Sequence, residues 1–376
     1  MDVYEKKIMI IAGELSGDLF GSHLAKSLKS LAPQLRLFGI GGKKMKEVGV
    51  ELFVEIEKLA VVGISEIITK LSDILKALYL LKHRLETDQP DLIILIDYPG
   101  LNLHIAKQAK KIGIKVLYYI SPQIWAWRYN RIKKIKKYVD HMAVLFSFEE
   151  KLYQRENVPV SLVGHPLIDI AIPTLSREIV YKKLGLSAEN ISIGLFPGSR
   201  YHEITRLLPV IISATRLIKN CIPNVQLILS LASNASLLYI QNYELLDIKI
   251  DVDNTYNVLS ICDAAIAVSG TVTLEIALYQ VPFVILYKVS PFTYWLSKQL
   301  IRVPFIGLPN LIAKEYIVPE FIQHQATPQA IADEICLLLK DYSYRKSFLD
   351  KLLSLRDRLG GSGASIKTAK LALKML

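Results

Sequence analysis

The sequence predicts an α/β protein made of two doubly wound, Rossmann-like domains facing each other across a cleft. Three observations carry that expectation. Short apolar runs alternate with longer stretches of helical periodicity, as repeated βαβ units require. The runs are continuously apolar, as in Leu92-Ile93-Ile94-Leu95-Ile96, which suits a parallel sheet with helices on both faces. The alternation also restarts after Gly164-His165-Pro166, in a chain of 376 residues that exceeds one hydrophobic core.

The first set of strands is expected at 8–12, 35–39, 91–97, 114–119, 142–145 and 160–163, with helices near 18–31, 66–86, 101–112 and 148–156. The second set is expected near 192–196, 225–230, 246–250, 264–267 and 282–286, then helices at 328–340 and 343–359. The linker falls between Asp169 and Thr174, flanked by Pro166 and Pro173. This gives an N-terminal domain over 1–168 and a C-terminal domain over 175–358. Gly360-Gly361-Ser362-Gly363 lets a final helix, 364–376, cross back onto the first domain.

Composition narrows the function. With 51% hydrophobic and 22% charged residues the chain buries a large core. A formal net charge of +11 favours anionic partners, whether nucleic acid, anionic membrane or phosphorylated metabolite. Cys221, Cys262 and Cys336 are few, scattered and odd in number, which fits a reducing compartment and no disulfide framework. Lys6 and Lys7 precede an apolar run of only Ile8 to Ala12, too short for a signal peptide. The uncharged stretch Asn220–Tyr243 is interrupted by Pro223 and many amides and hydroxyls, so it reads as a strand, loop and helix and not as a membrane span.

In open α/β sheets ligands bind beyond the carboxyl ends of strands, and four motifs stand there. Gly13-Glu14-Leu15-Ser16-Gly17-Asp18 follows the first strand and enters a helix. Its glycines and helix N-terminus suit an anion, with Glu14, Ser16 and Gly17 as binding candidates. It is neither GxGxxG nor a P-loop, and the plainer reading is a turn capped by Ser16 or Asp18. Asp97-Tyr98-Pro99-Gly100-Leu101-Asn102 closes the strand 91–96. There Asp97 is either a general base for a hydroxyl nucleophile or a helix cap. Leu195-Phe196-Pro197-Gly198-Ser199-Arg200 offers a turn with a guanidinium fork for phosphate, against a solvated surface turn. Ser269-Gly270-Thr271-Val272-Thr273-Leu274-Glu275 presents amides and hydroxyls to phosphate and Glu275 to ribose hydroxyls, against an ordinary capped helix.

Weaker features are Asp251-Val252-Asp253, which has DxD spacing but reads as a cap, and seven histidines without zinc-site grouping. No metal or cofactor is expected. The run 128–137 holds six Lys or Arg and follows Ser121-Pro122-Gln123-Ile124-Trp125-Ala126-Trp127. It is a nucleic-acid contact or, more plainly, a solvated face. An apolar loop, Leu59 to Ile64, precedes a helix with Ile67, Leu71, Ile74, Leu78, Leu81 and Leu85 on one side and Lys70, Lys76, Lys82 and Arg84 on the rest. Such a segment either lies on a membrane or faces the core.

Taken together, GELSGD at 13–18, DYPGLN at 97–102, SPQIWAWR at 121–128, GHP at 164–166, PGSR at 197–200, SGTVTLE at 269–275, PFTYWL at 291–296 and LPNLI at 308–312 resemble the lipid-A-disaccharide synthase family. Members of that family are inverting glycosyltransferases of the GT-B fold. The match spans nearly the whole chain and departs from the family pattern at Gly100-Leu101. The resemblance implies transfer of diacylglucosamine from UDP to the 6-hydroxyl of diacylglucosamine 1-phosphate, giving a β-1′,6-linked disaccharide. It implies Asp97 as base, Arg200 on the diphosphate, Glu275 on the ribose, and Ser269, Gly270 and Thr271 near the phosphates. Asn310 corresponds to a family position needed for activity. The implied partners are the UDP-linked acylated donor, the acylated 1-phosphate acceptor, and the inner-membrane surface reached through 59–85 and 128–137. The implied location is the cytoplasmic side of that membrane; no nucleic acid is expected, and a homodimer is allowed. The rival readings are a GT-B-type UDP-sugar 2-epimerase and a non-enzymatic basic binding protein.

Overall fold

The computed structural model describes residues 6–56, 76, 78–126, 128–245, 247–291, 293–295 and 303–376. The chain divides into two compact units, Met1–Asp169 with Leu359–Leu376, and Ile170–Arg358.

The first unit holds strands β1 (Lys7–Ala12), β2 (Arg36–Gly41), β3 (Glu51–Glu55), β4 (Leu92–Ile96), β5 (Lys115–Tyr119), β6 (His141–Val144) and β7 (Val160–Leu162). They form one sheet in the order β3-β2-β1-β4-β5-β6-β7, and every pairing is parallel. The second unit holds β8 (Ser192–Phe196), β9 (Gln226–Leu231), β10 (Ile248–Val252), β11 (Ala264–Val268), β12 (Phe283–Tyr287) and β13 (Glu320–Ile322). Their order is β10-β9-β8-β11-β12-β13, again all parallel. β4, β8 and β11 are buried along their whole length, as their unbroken apolar runs require.

Two strands escape the sequence pattern. β3 carries Glu at both ends and is only half-buried at the sheet edge, paired to β2 through a register shift at Gly39/Ile40. β13 is three residues long, too short for any periodicity. Both are edge strands, where apolar burial on two faces is not demanded.

Strand order reverses between β1 and β4 in the first unit and between β8 and β11 in the second. At such a reversal the connections leave in opposite directions, and a crevice opens above the strand ends. All four candidate motifs emerge from these four strands. Each unit therefore gathers its own pair of motifs by topology alone.

Residues 59–75 and 77 of the expected membrane segment, and Trp127, lie outside the described residues. The described remainder turns inward: Leu81 and Leu85 are buried in the first unit's core with Ile93, Leu95 and Ile105. Residues 78–85 thus take the core-facing reading. The basic run splits by periodicity, with Ile132 and Ile135 buried and Lys133, Lys134, Lys136 and Lys137 exposed. Among the described residues no helix is long and apolar enough to cross a membrane.

The last helix, Ala364–Met375, packs a small-residue face (Ala364, Ser365, Thr368, Ala369, Ala372) near the helix Leu15–Leu31. Its return is fastened by Asp169, which accepts from Gly363 N at 2.7 Å and Ala364 N at 3.2 Å, and by His165 N donating to Leu359 O. Gly164 sits at φ +86°, and a Cβ there would lie 2.9 Å from Gly361 O. Gly164→Ala combines a left-handed backbone with a backbone clash, so calorimetry should show a loss of about 2 kcal/mol or more in the first unit's stability.

Candidate active site

The end of β4 is the most constrained point of the first unit. Asp97 and Tyr98 have φ of +45° and +40°, two consecutive non-glycine residues in the left-handed region. Such backbone costs about 1–3 kcal/mol per residue and persists only when its surroundings over-determine it. The surroundings do so here. The Asp97 carbonyl accepts from Tyr118 Oη at 2.5 Å and from Asn102 Nδ2 at 2.8 Å, and Asn102 Nδ2 also donates to Ile96 O at 3.0 Å. Tyr118 and Asn102 are both fully buried. The half-buried Asp97 is thereby aimed away from the path a continuing strand would take.

The loop after β1 stands against this turn. A Cβ at Gly13 would lie 2.5 Å from the Tyr98 ring, so the two motifs need each other's shape. Glu14 is the N-cap of the helix Leu15–Leu31, and Glu14 and Ser16 remain half-buried. Two readings change at this loop. Gly17 is buried, with its would-be Cβ 3.3 Å from that of Ala12, so it brings helix and sheet together and offers a ligand no surface. Asp18 does not cap its own helix. Its buried carboxylate accepts from Gly42 N at 2.7 Å, Lys44 N at 3.0 Å and Met45 N at 3.0 Å, tying the start of the short helix Lys43–Glu47 to the first turn of Leu15–Leu31.

A second carboxylate, missed in the sequence, lies beneath the Trp125 loop. Glu149 is buried and accepts from Leu145 N (3.2 Å), Phe146 N (3.3 Å) and Trp125 Nε1 (3.4 Å). Burial pushes its carboxyl up to about 7 against those hydrogen bonds, and the Asp97 charge pushes the same way. The sequence signal was slight: one of two adjacent Glu in the first turn of a short helix, where capping is the ordinary role. Aromatic rings surround it. Trp125 meets Phe148 edge-on at 5.2 Å, Phe148 stacks on Phe146, and Phe146 lies 5.7 Å from His165. Burial drives the His165 ring down to about 3, so it is a neutral packing element.

In the second unit the turn after β8 is closed by its own acid. Gly198 has φ +99°, Arg200 is the N-cap of the helix Tyr201–Cys221, and Glu203 folds back beneath them. Glu203 accepts from Ser199 N at 3.1 Å, Arg200 N at 3.2 Å and the Arg200 guanidinium at 3.1 Å. The Ser199 and Arg200 amides are therefore occupied by Glu203, which leaves the guanidinium, 56% exposed, as the group that can reach a ligand.

After β11 the turn is open. Ser269 donates its hydroxyl to Ile306 O at 3.3 Å and Thr273 Oγ1 donates to Gly270 O at 2.7 Å, fixing the turn from both sides. Nothing lies within 4 Å of a Cβ built on Gly270, so the fold itself has no need of glycine at that exposed position. Thr271 and Glu275 are half-buried, and Glu275 hydrogen-bonds Tyr256, whose ring stacks with Tyr279 at 6.3 Å. Burial and the Glu275 charge hold both phenols above their ordinary value.

Asn310 lies inside the second unit. It is fully buried, and its amide is saturated: Nδ2 donates to Val318 O at 2.7 Å and Glu320 Oε1 at 2.8 Å, while Oδ1 accepts from Ile317 N and Val318 N. A primary amide has two donors and two acceptor lone pairs, so nothing remains for a substrate. Its work is to hold Glu320, which accepts Ile306 N and Gly307 N, each at 2.9 Å, beside the Ser269 turn. Asn310 is a positioning residue. In the DxD segment, Asp253 is left-handed at φ +59° and Asn254 Nδ2 donates to Val252 O at 2.7 Å, a turn before a short helix. Among the described residues no three His, Cys, Asp or Glu side chains converge as a metal set.

The sequence profile of the family described as lipid-A-disaccharide synthetase matches residues 8–370. The lipid-A-disaccharide synthase of Coxiella burnetii (strain Dugway 5J108-111) is 56% identical over 371 residues, covering 99% of each chain. That of Trichlorobacter lovleyi is 48% identical over 375 residues, covering 99% of this chain and 98% of its own. The chain belongs to the lipid-A-disaccharide synthase family. It is a glycosyltransferase of lipid A biosynthesis. The fold is shared more widely than the family. The UDP-N-acetylglucosamine 2-epimerase of Neisseria meningitidis, solved with UDP-N-acetylglucosamine, has a TM-score of 0.66 at 13% identity, covering 98% of this chain and 100% of that one. The calicheamicin glycosyltransferase CalG4 has a TM-score of 0.58 at 12% identity, covering 100% and 99%. These likenesses give a GT-B-like fold, and sequence identity over the full length decides for the synthase family against the epimerases.

Two outcomes follow from the buried polar groups. Asn310→Ala leaves Glu320 and two amides short of partners, so chemical denaturation should show a loss of about 3 kcal/mol in the second unit. Glu149 is an acid raised on folding, so the folded chain holds one more proton than the unfolded chain between its ordinary 4.5 and about 7. Stability from this group is full below 4.5 and lost as pH rises through 7. Relative to the native chain, Glu149→Gln should gain on the order of 3 kcal/mol between about pH 5 and pH 8, read from paired urea titrations.

Proposed function

We propose that the chain joins a UDP-linked 2,3-diacylglucosamine to the 6-hydroxyl of 2,3-diacylglucosamine 1-phosphate, releasing UDP. The observation that carries this reading is the over-determined left-handed pair Asp97-Tyr98, which spends backbone strain to aim a carboxylate at a switch point. A carboxylate held so takes the proton of the acceptor hydroxyl as that oxygen attacks the anomeric carbon. The bond from that carbon to the diphosphate oxygen breaks, its electron pair leaves with UDP, and the centre inverts to the β-linked product. Arg200 meets the developing charge on the diphosphate, and the Ser269-Gly270-Thr271 turn holds its oxygens. Glu275, oriented by Tyr256, accepts from the ribose hydroxyls. Glu14 and Ser16, beside Asp97, contact the acceptor sugar.

The acyl chains of both substrates need an apolar surface at the membrane. The apolar sequence Leu59 to Ile64 suits that role, and the exposed lysines of 133–137 suit anionic lipid at the inner face of the inner membrane.

Incubation with both lipid substrates should give the disaccharide 1-phosphate and UDP; no product from the unmodified chain sinks the proposal. Asp97→Asn should lower kcat by about 10²–10⁴-fold with the melting temperature kept. Arg200→Ala should raise the donor KM. A preserved rate in Asp97→Asn would remove Asp97 as base.

A further inference from the structure

Two of the three cysteines meet in the second unit. Cys221 ends the helix Tyr201–Cys221, and Cys336 lies on the helix Pro328–Lys340 packed against it. Their thiols are within hydrogen-bond reach of each other. Both line an open surface cavity of about 1050 Å³, together with Asp333, Leu337 and Lys340. Cys262 differs: its Sγ donates to Val258 O at 3.1 Å, and burial pushes its thiol far up.

The pair is electrostatically uneven. Burial pushes the Cys221 thiol up, but the Cys336 S–H and the Lys340 ammonium outweigh it and bring Cys221 below its ordinary value. Burial, then the Cys221 charge, push Cys336 up to about 12. Carbonyls at a helix C-terminus oppose a thiolate at Cys221, and Lys340 supplies the compensating charge. A proton shared so unequally gives one nucleophilic sulfur and one protonated neighbour, the arrangement of an attacking and a resolving cysteine.

We propose that Cys221 and Cys336 form a peroxide-reactive thiol pair that closes into a disulfide between these two helices. The Cys221 thiolate attacks one oxygen of a hydroperoxide. The O–O bond breaks, and the leaving oxygen takes a proton to become water, or an alcohol where the peroxide is organic. Cys336 sulfur then attacks the sulfenic sulfur of Cys221; the S–O bond breaks and the oxygen leaves as water with the Cys336 proton. Two thiols lose two electrons in all, and hydrogen peroxide is reduced to two waters.

The test is treatment of the full chain with a small excess of hydrogen peroxide, followed by intact mass and peptide mapping. The expected result is a loss of about 2 Da, a single cross-linked peptide joining Cys221 to Cys336, and Cys262 left as a thiol. Cys336→Ser should trap Cys221 as a dimedone adduct, and Cys221→Ser should give neither adduct nor cross-link. Oxidation should raise the second unit's melting temperature by several degrees, reversed by dithiothreitol. A treated native chain with three intact thiols, or a dimedone adduct on Cys221 without the 221–336 cross-link, overturns the proposal. So does a Cys336→Ser chain that melts as the native one does and takes no dimedone.

Discussion

The carbonyl oxygen of Asp97 is the point on which the first unit's site depends. Tyr118 and Asn102 grip it from β5 and from the helix Pro99–Lys111, and neither donor can move without disturbing the buried sheet. Parallel pairing of β4 with β5 fixes the first donor, and the register of the following helix fixes the second. The chain makes the turn there through two consecutive left-handed residues. Tyr98 is carried onto Gly13, so the loop after β1 takes its shape from the strain after β4.

The second unit meets the same topological demand with charge in place of strain. Glu203 satisfies the amides after β8, and Glu320, held by Asn310, satisfies those before the helix Leu308–Ala313. Each internal carboxylate neutralises a turn that would otherwise present uncompensated N–H groups. The turn after β11 is braced by hydroxyls: Ser269 donates to Ile306 O and Thr273 to Gly270 O, and nothing lies within 4 Å of a Cβ built on Gly270. The second unit thus carries an open turn after β11 and the exposed Arg200 guanidinium after β8.

Much of this was legible in the sequence, because burial on both faces forces continuous apolar runs and the motifs sit where those runs stop. Asp97 is singled out by position alone, and nothing in its neighbours announces the left-handed backbone. The strands β3 and β13 are not legible, since β3 carries Glu at both ends and β13 is only three residues long. Burial itself is not legible in the sequence. Asn310 and Gly17 stand in motifs as contact candidates and Asp18 as a helix cap, but each has its polar or open side turned into the fold. Glu149 was invisible for the converse reason: the run Phe148-Glu149-Glu150-Lys151 reads as a solvated helix start, and only the three-dimensional packing of Trp125 and Phe146 encloses one of its acids.

Hydrogen exchange of the full chain with and without UDP tests the division of labour most directly. The amides of 269–275 should be protected by UDP while those of 13–18 and 97–102 exchange as before. Protection confined to 13–18 and 97–102, with 269–275 unchanged, would contradict the assignment of the nucleotide to the second unit.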